Sequence, residues 1–190
     1  MSTEIEEILQ QSAGAIRGLS GQAEQIAEAG RRMARVVSGG GVVYALGNGG
    51  SASQSEHLAA ELVGQFEMER PGMSCQALTS NPSTLTSLAN DYGADSLFAR
   101  QVEALVDEQD LLLCISTSGQ SANVLAAAAE ANRRGACTVG LTGEAGGELA
   151  RACDVSIRAP SDRTARVQEA HLVVIHLLSG HLERQLHESE

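Results

Sequence analysis

Leu111-Leu112-Leu113-Cys114-Ile115-Ser116-Thr117-Ser118-Gly119-Gln120-Ser121, running into an alanine-rich stretch at 122–131, is the part of the sequence that decides the fold. Five apolar residues in a row predict a buried strand, and the alanines that follow predict a helix. Between them lies a turn with four hydroxyls around one glycine. A helix start presents unpaired N–H groups and a partial positive charge. Capping the helix would need one hydroxyl. Four, with a glycine that admits close approach of the backbone, predict an anion cradle, and a phosphate monoester fits it without any lysine.

The same alternation continues outward. Short apolar runs at 42–46, 75–78, 137–141 and 155–157 predict four more strands. Segments at 52–66, 83–106 (broken near Gly93), 121–134 and 146–152 suit helices, and a last helix should run from Thr164 to near Glu188. Alternating strands and helices require parallel crossovers. The expected fold is therefore α/β, a doubly wound, flavodoxin-like sheet of five parallel strands. Ahead of it, Ile5, Ile8, Leu9, Ser12, Ile16 and Leu19 recur at helical spacing. Ile26, Met33 and Val37 do so again after Ser20-Gly21, predicting an N-terminal helical hairpin over 1–38 and an α/β sandwich over 39–190, together one domain. Ligands of such sheets sit beyond the carboxyl ends of the strands.

Composition removes several function classes. The 190 residues carry 13 Lys+Arg against 24 Asp+Glu, a net charge of −11, and 2% aromatics. Direct nucleic-acid binding needs a basic footprint or stacking aromatics, so neither the charge nor the composition supports it. No apolar run is long enough for a membrane span, and the acidic N-terminus lacks the features of a signal peptide, so a cytoplasmic location is expected. Cys75, Cys114, Cys137 and Cys153 are widely spaced and are expected to be reduced thiols, neither disulfide-bonded nor metal-bound.

Gly47-Asn48-Gly49-Gly50-Ser51 also follows a predicted strand and opens a helix. Its glycines do not match either nucleotide-binding fingerprint. It reads equally as a tight turn or as a polar contact surface, with Asn48 and Ser51 as donors. In the helix after it, His57 and Glu61 are i, i+4 neighbours on one face, spaced to serve one metal or as a solvated pair. The last helix carries Gln168, His171 and His176. Gln168 and His171 are i, i+3 neighbours, whereas Gln168 and His176 stand roughly 12 Å apart along a straight helix. Spacing therefore favours His171 over His176 as the partner of Gln168. His181 and His187 read as surface or oligomer-contact residues.

These residues together resemble the sedoheptulose 7-phosphate isomerase (phosphoheptose isomerase) family of the SIS domain group. The matching stretches are Gly47–Ser51, His57-Leu58-Ala59-Ala60-Glu61, Asn90-Asp91-Tyr92-Gly93, 115–124, Leu141-Thr142-Gly143, and 163–171 through His176. The resemblance spans nearly the whole chain. It implies an SIS fold, a homotetramer with active sites between subunits, one zinc ion per site, and a sugar phosphate as ligand. It assigns His57, Glu61, Gln168 and His176 to the zinc, against the spacing preference for His171. It implies Glu61 as the base and His176 as its acid/base partner in an aldose–ketose isomerisation. By the same resemblance Ser116, Thr117, Ser118 and Ser121 hold the phosphate, while Asn48, Gly49, Ser51, Asn90, Asp91 and Gln168 contact the sugar.

The sequence departs from the family at two points. Gln54 stands where many members have an aspartate, and Ala165 where some have one. Two other readings share the fold: a non-catalytic SIS protein associating with the replication initiator, and an isomerase of another sugar phosphate. The first tends to lose the second histidine, which is present here as His176.

Overall fold

The computed structural model describes residues 1–187. Five parallel strands form one sheet in the order β2-β1-β3-β4-β5. They are β1 (Val43–Gly47), β2 (Cys75–Ala77), β3 (Leu111–Ser116), β4 (Cys137–Thr142) and β5 (Val155–Arg158). The helices are α1 (Ser2–Gly18), α2 (Ala23–Ser38), α3 (Gly50–Val63), α4 (Pro82–Tyr92), α5 (Ala99–Leu105), α6 (Ala122–Arg133), α7 (Leu149–Ala152) and α8 (Thr164–His187). The order is that of a flavodoxin-like doubly wound sheet, as the alternation predicts. Glu188, the expected end of the last helix, lies outside the described residues.

Strand alternation sorts the core into two layers, because successive side chains point to opposite faces. Val43, Ala45, Leu111, Leu113, Ile115, Val139 and Leu141 pack on one side with Met33, Leu58, Leu62, Val174 and Leu178 of α2, α3 and α8. Tyr44, Leu46, Leu112 and Cys114 face the other side, against Val102 of α5, Val124 and Ala127 of α6, and Leu149. Each fully buried Leu or Ile contributes about 1.5–3 kcal/mol. β3 at the centre of the sheet and its neighbour β1 are buried along their whole length, which accounts for their unbroken apolar runs.

Local chemistry sets several boundaries. Asn81 caps α4 by accepting from the Thr84 N–H at 3.1 Å, with Pro82 in the first turn. Gly93, at φ +81, breaks the predicted 83–106 helix into α4 and α5. Ser20-Gly21 falls within a 3-10 turn, Leu19–Gln22, that joins α1 to α2. The predicted 146–152 helix is shorter than expected: Gly146 and Gly147, at φ +73 and +60, hold its first residues in a loop, leaving only α7. All four cysteines are free thiols, and burial pushes that of Cys75 up to about 12. No helix among the described residues is long and apolar enough to cross a membrane.

Candidate active site

The chain order makes β1 and β3 neighbours from which the connections leave in opposite directions. Their register pairs Gly47 with Ile115. The turns after the two strands therefore lie side by side at the topological switch point, where ligands of such sheets bind.

In the β3 turn, Gly119 adopts φ +64, and its N–H reaches the Ser116 carbonyl at 3.1 Å and the Ser116 hydroxyl at 3.2 Å. The Ser116 and Ser121 hydroxyls hydrogen-bond each other at 3.1 Å. Ser121 is the N-cap residue of α6, yet its side chain makes no capping bond. The Ser121 hydroxyl is thus not consumed in closing the helix, while the Ser118 hydroxyl accepts from the Gln120 N–H at 3.2 Å. Behind the turn, Gly143 N–H donates to Thr117 O and Leu149 N–H to Gly119 O, each at 3.0 Å. A Cβ on Gly119 would lie 2.1 Å from Gly146 O, so the packing demands glycine there. The result is a rigid loop with Ser118 exposed and Thr117 half-buried.

The β1 turn delivers Asn48, Gly49 and Ser51. Gly49, at φ +54, is the N-cap residue of α3, and Ser51 is buried beneath the turn. The Asn48 and Asn123 side chains exchange two amide bonds of 2.8 and 2.9 Å, tying this turn to the first turn of α6. Asn123 was not singled out from sequence, because a polar residue near a helix start has no distinctive pattern.

On α3, His57 and Glu61 meet as their spacing allows, with Nε2 and Oε1 3.2 Å apart. His176 of α8 completes the group: its Nε2 lies 3.1 Å from that of His57. One donor atom from each of the three residues falls within 4.8 Å of the others. Two ligands of a tetrahedral zinc with bonds of about 2.0–2.1 Å stand about 3.3 Å apart, so the 3.2 and 3.1 Å separations from His57 suit such an ion. Phe66 stacks on the His176 ring, centroids 5.4 Å apart at 27°.

The expectation that spacing favours His171 is corrected. His171 is buried, and its Nε2 lies 3.0 Å from Thr142 O. Burial pushes its pKa down to about 4, partly opposed by that backbone bond. It turns toward the sheet, while His176, five residues on, turns toward α3. His181 is half-buried, its ring packed where a Cβ on Gly30 of α2 would be. The His187 side chain lies outside the described residues.

Gln168 lies over the β1 turn, so close that a Cβ on Gly50 would be 2.3 Å from its Nε2. Its carbonyl accepts from Gln54 Nε2 at 2.6 Å. The departure at Gln54 thus serves an α3–α8 contact that an aspartate could not donate. Ala165 is exposed. Asn90 and Asp91, at the exposed end of α4, bond each other at 2.8 Å, and no hydrogen bond among the described residues joins them to the histidine cluster.

The family model of the SIS domain matches residues 9–143. A phosphoheptose isomerase of Alkalilimnicola ehrlichii is 52% identical over 166 residues, covering 86% of this chain and 85% of that protein. Another, from Rhodospirillum rubrum, is 45% identical across 98% of this chain and 99% of its own length. Among solved structures, phosphoheptose isomerase GmhA of Neisseria gonorrhoeae superposes with a TM-score of 0.91 at 35% identity, covering 96% of this chain and 98% of that one.

Proposed function

The chain belongs to the phosphoheptose isomerase family of SIS-domain proteins and is a sugar-phosphate isomerase; from that premise we propose that it converts D-sedoheptulose 7-phosphate to D-glycero-D-manno-heptose 7-phosphate through an enediol(ate), with zinc assistance. The observation that carries this is the convergence of His57, Glu61 and His176 from two helices, one of which, α3, begins at the β1 turn. His57, Glu61, Gln168 and His176 would hold the zinc. When bound, it would supply a positive charge that stabilises the oxyanion of the enediolate.

The residues of the chain divide the proton transfers. Glu61 Oε1 faces His57, and we assign proton removal from C1 to its carboxylate, which returns the proton at C2. His176 gives a proton to the oxygen on C2 and takes one from the oxygen on C1. The two exchanges convert the ketose to the aldose with no net gain or loss of protons. Ser116, Thr117, Ser118, Ser121 and the start of α6 hold the phosphate. Asn48, Gly49, Ser51, Asn90, Asp91 and Gln168 contact the sugar hydroxyls.

We further read the chain as one domain, because α1 and α2 both pack on α8. It acts in the cytoplasm as a homotetramer with sites shared between subunits. Glu61→Gln tests the assignment. It should lower kcat by about a thousandfold, within the range typical of a lost general base, while calorimetry still detects sugar-phosphate binding. Full turnover by that variant would remove Glu61 from the mechanism. The scaffold reading gains nothing from the geometry, since His176, the histidine its branch tends to lose, stands inside the cluster.

A further inference from the structure

The segment 64–74 between α3 and β2 has no helix or strand of its own. Its backbone N–H groups must therefore find partners elsewhere. Glu183 of α8 provides them. Its carboxylate, 2% exposed, accepts from the N–H groups of Phe66, Glu67 and Met68 at 2.9–3.0 Å. Its Oε1 also accepts from Arg70 Nε at 3.1 Å. Arg70 spends its other nitrogens on the α3 end: Nη1 donates to Leu62 O at 2.8 Å and Nη2 to Glu61 O at 2.7 Å. One buried ion pair thus joins α8 to the residue that carries the Glu61 carboxylate. The loop it cinches also supplies Phe66, whose ring lies on His176. Glu183 stands seven residues, two helical turns, beyond His176 and shares its face.

We infer that Glu183 and Arg70 are positioning residues that set the separation of α3 and α8 at the active site, and with it the meeting of His57 and Glu61 with His176. This rests on the reading of that cluster given above. Both side chains are buried and spend their polar atoms on the loop and on α3. Their contribution is to hold Glu61 by its backbone and His176 by the Phe66 face, as outer partners of ligands orient metal sites. A guanidinium is required at position 70, because an ammonium cannot donate to Glu183 and two carbonyls in a fixed fork.

Purified full-length Glu183→Gln, Arg70→Lys and Phe66→Leu variants test this. The readouts are zinc affinity, by competition with a chromogenic chelator, and the separate kcat and KM for sedoheptulose 7-phosphate. Glu183→Gln and Arg70→Lys should weaken zinc binding at least about tenfold and lower kcat, with KM moving less than about twofold because the phosphate loop is untouched. Phe66→Leu leaves the backbone bonds to Glu183 in place and should shift both readouts the same way, so it carries the test if Glu183→Gln fails to fold. Folded variants with a lower melting temperature but unchanged zinc affinity and kcat would show a purely structural ion pair and overturn the inference. Wild-type protein that binds zinc without turnover, while the variants bind it more weakly, would overturn the functional reading and leave this one standing.

Discussion

Gly50 is a residue where one added carbon atom would reach Gln168, a proposed zinc ligand. It opens α3 with an ordinary helical backbone, so alanine meets no conformational penalty there. The added Cβ would instead collide with the Gln168 amide, a flexible side-chain end able to swing away. Gly50→Ala should therefore change stability by less than about 1 kcal/mol while measurably weakening zinc binding, assayed by chelator competition. His171 is the contrary case, a buried histidine that bears on stability. Its folded pKa is lowered to about 4 from an ordinary 6.5. On acidification the unfolded chain takes up the proton first, so stability is complete above pH 6.5 and declines between 6.5 and 4. The full loss is on the order of 3 kcal/mol. Urea unfolding of metal-free protein at pH 7.5 and 5 should show this slope, and His171→Gln should flatten it.

At the scale of elements, β3, its turn and α6 form the proposed phosphate-binding unit. Ser121→Ala removes a hydroxyl that no cap bond engages. A hydrogen bond to a charged group contributes about 1.5–3 kcal/mol, so KM should rise by about tenfold or more with kcat little changed. This unit was legible in the sequence because everything it needs is contiguous: an apolar run, a hydroxyl cluster, a glycine and a helix. The five strands were legible for the same reason. The histidine cluster was only half legible. His57 and Glu61 share a helix and a spacing, but His176 comes from a helix 119 positions away in sequence from His57. Local spacing along α8 pointed to His171, because it cannot report which face of that helix meets α3. Resemblance to a family supplied His176. Glu183 and Arg70, bonded across 113 positions, left no local pattern at all. A carboxylate two turns beyond His176 on a largely apolar helix was the one available sign.

For the whole molecule, the charge of −11 gains a specific meaning. A negatively charged protein does not attract an anionic sugar phosphate by its net field, so the proposed binding rests on the local dipoles and hydroxyls of 116–121. The apolar residues that α1 leaves uncovered point to assembly. Ile5, Ile8, Leu9 and Ile16 are 38–62% exposed on that helix, which otherwise packs on α8. Replacing Ile5 and Leu9 with glutamate should reduce the mass found by light scattering from that of the proposed tetramer, and activity should fall with it if the sites are shared. The most direct test of the central claim is turnover of sedoheptulose 7-phosphate by the intact protein, measured with zinc, with a chelator, and after zinc is restored. Heptose 7-phosphate should form in the first, cease in the second and resume in the third. Undiminished turnover by protein shown to be free of metal would contradict the zinc-assisted mechanism, and substrate binding without turnover by the zinc-loaded protein would contradict the isomerase itself.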